Sequence, residues 1–347
     1  MEFVRGMLYL SLTAVGVPGN TAVIVAFLLL LYQESRLLAA DAIVLHLACA
    51  NLLVVGTRCL LETLASLHVA SIFGDMSCKA VIFIYRTCRA LSIWLTFLLS
   101  AYQCLSIAPP GSRWASIRTL VAQYLLSVFL FLWVLNTSMT TAAILFSFGS
   151  KNDSSLTNNG INVQFCYVNF PSKQSKEANG AAQVCRDVVP MALMTLASLI
   201  ILIFLYKHSR QVKGLRSSSS GGGGSSGAEQ RAAKVVVVLV TLYVVLYGVD
   251  NGLWVYTLTV RKTMSSSLIS DLRIFFSSLY AALSPLVIIA SNRKVNSRLR
   301  CAAHEKPVME KATSPSSVIR SETKKIELLS CRKKIDKHSW KCCHVKF

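Results

Sequence analysis

Of 347 residues only 15% are charged and 53% are hydrophobic, against about a quarter charged in a soluble domain, which tells against a water-soluble fold and for lipid as the solvent. The formal charge of +20 would suit nucleic acid, but the Lys and Arg collect on one side of a set of apolar runs, the pattern of membrane topology rather than of a nucleic-acid face. Eleven cysteines in no metal-like spacing, and no His-x-x-x-His pair, give no zinc site.

A bilayer core takes roughly 20 apolar residues per helix, and seven such runs stand at about 7–32, 41–66, 79–106, 119–147, 186–207, 234–258 and 269–291. The expected fold class is therefore all-α: a seven-transmembrane helix bundle over 7–291, with residues 1–6 as a short outer N-terminus and the C-terminus inside. With that orientation, 24 of the 36 Lys and Arg fall on the inner side, nine on the outer side, and Arg58, Arg86 and Arg89 within the helices.

The first run is too long for a signal-peptide core, so it is expected to serve as its own insertion signal. In the second, Arg58 and Glu62 are four residues apart and can pair along one face, or line a pocket. The third begins near Cys78. Counting from there at about 1.5 Å per residue, Arg86 and Arg89 lie roughly 12 and 16 Å down, close to the middle of a core about 30 Å thick. Their spacing puts both on one face, pointing into the bundle. Ionisable groups at that depth need a partner, a wet cavity or a function, so the two arginines either pair internally, with Glu62 and Asp250 as available acids, or meet an anionic ligand.

The fourth run holds the sequon Asn136-Thr137-Ser138, out of reach of glycosylation, whereas Asn152-Asp153-Ser154 in the outer loop 148–185 is a candidate glycosylation site. On that oxidising side Cys78 can join Cys166, with Cys185 as the competing partner. Arg186 and Asp187 open the fifth run and read as interfacial. Residues 208–233 form a third inner loop whose Ser/Gly tract, 217–227, reads as flexible. Asp250 lies about sixteen residues into the sixth run beside Tyr247, Asn251 and Trp254, at pocket height. Ile274 to Ser291 contains no lysine for a retinal Schiff base. Residues 292–347 are polar and basic, expected to be a disordered inner tail drawn to anionic lipid, with Cys301 open to acylation.

Several motifs keep their spacing over this framework. Tyr85-Arg86-Thr87-Cys88-Arg89-Ala90-Leu91-Ser92-Ile93 is followed by Leu98-Leu99-Ser100-Ala101-Tyr102-Gln103, then Ile107-Ala108-Pro109 and Ser112-Arg113-Trp114. His46-Leu47-Ala48-Cys49-Ala50-Asn51-Leu52, Tyr247-Gly248-Val249-Asp250 and Ser284-Pro285-Leu286-Val287 accompany them. Over about residues 15–295 this resembles the vomeronasal type-1 pheromone receptors and their olfactory-receptor-class-A-related relatives, a branch of the rhodopsin-like superfamily. Gly19-Asn20 is shared more widely in that superfamily. Asp-Arg-Tyr is absent after the third helix, Cys-Trp-x-Pro is absent from the sixth, and Asn51 stands where an aspartate is usual.

The resemblance implies a non-enzymatic chemosensory receptor, with no catalytic residues and no cofactor, in the plasma membrane of sensory neurons. It implies a small odorant or pheromone as ligand and a heterotrimeric G protein of the inhibitory class as partner. Arg86, Arg89 and Asp250 carry over as pocket candidates, with Glu62, Arg58 and Asn251 beside them. A basic pocket suits an organic acid, a bile acid or a sulfated steroid. A rhodopsin-like receptor for a non-odorant ligand is the alternative. A seven-helix transporter or lipid hydrolase is more distant, since no paired Gly/Pro-broken halves are present.

Overall fold

No water reaches the bilayer core, so each backbone N–H and C=O of a spanning segment must be bonded internally, and long apolar runs become helices. A computed structural model describes residues 2–66, 75–107, 113–149, 160–162, 166–215, 226–259, 266–291 and 295–296. They belong to one compact unit, Met1–Cys301; a second unit, Ala302–Phe347, lies outside the described residues.

The helices are α1 (Glu2–Glu34), α2 (Ala39–Val54), α3 (Leu61–Ser66), α4 (Asp75–Ile107), α5 (Arg113–Gln123), α6 (Leu125–Leu145), α7 (Lys173–Leu215), α8 (Ser226–Thr259) and α9 (Ser266–Ser291). A π turn, Val55–Leu60, joins α2 to α3. Among the described residues six helical segments are long and apolar enough to cross a membrane, or seven if the bent pair α5–α6 counts as one span. Large apolar side chains on their outer faces are exposed, Leu126, Val134 and Phe131 among them, as expected where lipid rather than water is the neighbour. Serine and threonine hydroxyls are satisfied by their own helices: Thr96 donates to Ser92 O and Thr140 to Asn136 O, both at 2.8 Å.

Helix α4 packs against α2, α6, α7 and α8 and so forms the centre of the bundle. Asn51 knits three helices there. Ser92 Oγ donates to its Oδ1 at 2.7 Å, and its Nδ2 donates to Ser284 Oγ at 2.9 Å. Against α1, helix α9 comes very close: a Cβ on Gly19 would stand 2.9 Å from Pro285 Cγ, and one on Gly16 3.1 Å from Ala282 Cα. Pro285 has no N–H for the carbonyl four residues before it. That carbonyl, Ala281 O, instead accepts from Asn20 Nδ2 of α1 at 2.9 Å.

The structure departs from the sequence expectation in four places. The fourth span is not one helix over 119–147: it breaks at Tyr124, and α5 leaves the α6 axis by 73° with no proline or glycine at the break. Helix α7 starts at Lys173, thirteen residues before the apolar run, because polar residues continue it beyond the span. Helices also occupy 208–215 and 226–233 of the expected third inner loop, while 216–225 lie outside the described residues. Finally, three short antiparallel strands join the all-helical bundle: β1 (Ser147–Gly149), β2 (Gly160–Asn162) and β3 (Cys166–Asn169), in the order β1-β3-β2. Val168 and Phe170 pack with Cys78 and Ile82, which sets the sheet against the start of α4.

Candidate functional site

Toward the sheet-bearing end of the bundle, four guanidinium groups and two carboxylates meet. Arg86 and Arg89, three residues apart on α4, present to one face. Asp187 comes from α7, Asp250 from α8 and Arg273 from α9, so the three later helices each bring charge to the central one. Arg89 is held on both sides: Nη1 donates to Asp187 Oδ2 at 2.6 Å and Nη2 donates to Asp250 Oδ2. The other oxygen of each acid has its own arginine. Arg186 Nε donates to Asp187 Oδ1 at 3.0 Å, and Arg273 Nε lies 3.2 Å from Asp250 Oδ1. The result is a continuous chain, Arg186–Asp187–Arg89–Asp250–Arg273. Both acid side chains are almost fully buried, 2% and 3% exposed, a position that charged groups hold only when paired. The ring of Tyr247 lies 4.8 Å from the Arg89 guanidinium and adds a cation–π contact.

Arg86 stands outside this chain. It has no ion-pair partner among the described residues, and its Nη1 is buried without a hydrogen bond. Arg186, Arg273 and Arg89 are all within electrostatic range of it. Counting the six groups, the cluster carries two positive charges in excess.

Arg58 and Glu62 pair with each other instead of joining the cluster, Nη2 to Oε1 at 2.7 Å, with side chains 2% and 1% exposed. The π turn that carries Arg58 also sets it 5.8 Å from the ring of Tyr85. Tyr85 in turn shares a 2.7 Å hydrogen bond with Ser277 of α9 and precedes Arg86. Asn251 is turned to its own helix, donating to Tyr247 O at 2.9 Å, with Met191 Sδ at 3.8 Å. Below Arg89 the rings of Tyr243 and Tyr247 stack at 4.1 Å, and Tyr280 meets Tyr243 edge-on. Cys78 is disulfide-bonded and Cys185 is a free thiol, so the Cys78–Cys185 alternative is not formed. The backbone of Cys166 begins β3; Asn152 lies outside the described residues.

Residues 4–301 match the model of the vomeronasal organ pheromone receptor family. The chain belongs to that family. An olfactory receptor class A-like protein 1 of Danio rerio is 36% identical over 303 residues, covering 87% of this chain and 93% of its own. The human vomeronasal type-1 receptor 3 is 29% identical over 218 residues, 62% of this chain and 70% of the relative. The type-1 receptor 1 of Gorilla gorilla gorilla is 27% identical over 294 residues, 84% and 81%. These relatives are receptors, which supports a vomeronasal-type chemosensory receptor in a multi-pass membrane chain and not an enzyme.

In this pheromone-receptor family member the structure brings together Arg86, Arg89 and Asp250, the three pocket candidates that the sequence offers. Asp187 and Arg186, interfacial by the sequence, are both buried, because α7 extends well beyond its apolar run. Arg273 is among the nine Lys and Arg that the sequence assigns to the outer side. The signal for it was available, since residue 273 falls inside the apolar run 269–291, where a charge needs a partner.

Proposed function

We propose that this receptor takes an anionic odorant or pheromone at Arg86 and activates a heterotrimeric G protein of the inhibitory class. In this reading the sheet-bearing end faces outside and the receptor resides in the plasma membrane of chemosensory neurons. The observation that carries the ligand reading is the buried, partnerless Nη1 of Arg86 within a cluster two positive charges in excess. An incoming carboxylate or sulfate supplies the partner, and guanidinium binds either bidentately. Organic acids, bile acids and sulfated steroids meet that description.

Arg89 and Asp250 frame the site through their ion pairs. Arg58 and Glu62 support it through Tyr85, and Asn251 flanks it on α8. The orientation rests on the Lys and Arg distribution, 24 of 36 on the opposite side. Cys166 is the proposed partner of Cys78, because Val168 and Phe170 of the same segment pack against Cys78 while Cys185 stays free. Asn152 is the proposed glycosylation site on that face. Ligand and G protein communicate by favouring the same helix arrangement.

The test is a cell-based signalling screen with matched acidic and neutral odorants on the unaltered receptor and on Arg86→Gln, with surface expression measured in parallel. A response selective for acids and lost in the variant is expected. Responses to acids that survive Arg86→Gln at unchanged potency overturn the anion site.

A further inference from the structure

Arg186 and Arg273 close the two ends of the ion-pair chain, and each binds a carboxylate that Arg89 already holds through its other oxygen. Losing an end arginine therefore leaves neither acid without a cation. That makes the end contacts the replaceable ones. Arg89, with both sides engaged, is the fixed centre. Arg86 lies one helical turn from Arg89 on the same face, and the two end arginines, arriving from α7 and α9, are both within electrostatic range of it. Arg273 is 24% exposed, which opens that end of the chain to an entering molecule.

We infer that Arg186 and Arg273 are ligand-specificity residues: together with Arg86 they form a three-guanidinium clamp for a dianion, and Asp187 and Asp250 occupy its outer arms until the ligand arrives. The inference rests on the anion site proposed above. The charge balance fits it, since the cluster carries two positive charges in excess and a dianion neutralises both while a monoanion leaves one. Asp187 and Asp250 act as internal stand-ins. When the ligand draws Arg186 and Arg273 toward Arg86, the acids keep Arg89, and the link from α9 to α8 through Arg273 is released. Ligand charge is thereby converted into a change in helix contacts.

Glutarate and valerate share a five-carbon chain and differ by one carboxylate, and pentanamide is the neutral match. Thermal melts of the full chain in lipid nanodiscs, at constant ionic strength, read binding as a concentration-dependent rise in Tm. Glutarate is expected to bind about tenfold more tightly than valerate, the value of one further charge-assisted contact, and pentanamide not at all. In Arg86→Gln both acids fall to the pentanamide level. In Arg186→Gln and in Arg273→Gln glutarate falls to the valerate level while valerate is unchanged. Asp250→Asn removes a stand-in and is expected to strengthen glutarate binding, a gain that misfolding cannot mimic.

If Arg86→Gln leaves both acids bound, the anion site itself fails and the clamp with it. If Arg86→Gln abolishes binding but the two end variants keep the full preference for glutarate, the clamp fails and the anion site stands. Equal binding of glutarate and valerate by the unaltered receptor likewise overturns the clamp.

Discussion

Arg86 and Arg89 are the same residue type, one turn apart on one helix, but removal of each should have opposite consequences for stability. Arg89 bridges two buried carboxylates; its replacement by Gln breaks both of those buried pairs and leaves each acid with one arginine only, Arg186 on Asp187 and Arg273 on Asp250. A loss of about 3–5 kcal/mol is expected, the range for breaking a buried pair. Arg86→Gln removes a charge that has no ion-pair partner among the described residues and has three guanidinium groups within electrostatic range, so the melt should stay level or rise. The comparison of the two melts checks this, and an equal loss in both would count against the charge assignment. Glu62→Gln removes the carboxylate paired with Arg58 in a site 2% exposed and is expected to cost about 3–5 kcal/mol, whereas replacing both residues by Met and Leu should recover most of that loss in the same measurement.

At the scale of elements, the close passage of α1 along α9 makes two predictions. Gly19→Val must displace the Pro285 ring and is expected to cost about 1–3 kcal/mol, the range for overpacking. Asn20→Leu returns Ala281 O to its unbonded state and should cost about 1–3 kcal/mol; thermal denaturation in nanodiscs reads both, with Gly252→Ala, which meets open space, as the control. The spans were legible in the sequence because apolar length alone sets them. The break at Tyr124 was not, for it has neither proline nor glycine, and its polar neighbours Gln123 and Ser127 look unremarkable in a hydropathy profile. Helix ends were equally hidden. Lys173 to Gln183 is polar enough to read as loop, so Asp187 seemed to stand at a boundary when it is well within α7. The site was half legible for the same reason: charges in the middle of apolar runs announced themselves, and charges near their ends did not.

For the molecule as a whole, the Cys78 disulfide ties the start of α4 to another part of the chain. With Cys166 as partner, Cys78→Ser and Cys166→Ser should each lower stability by about 2–5 kcal/mol and their double variant no further, while Cys185→Ser leaves the melt unchanged; free-thiol labelling before and after reduction tests the pairing directly. The hydrogen bond from Asn20 to Ala281 spans 261 residues and has a consequence for biogenesis. Helix α1 is braced by α9, which follows it in the chain, so its amide waits through the insertion of every span between them with its own helix as the near partner, at Gly16 O. Bundle closure is then a step that synthesis cannot begin early, and a chaperone that shields α1 in the bilayer until α9 is delivered would act at the point where this receptor is most open to misassembly.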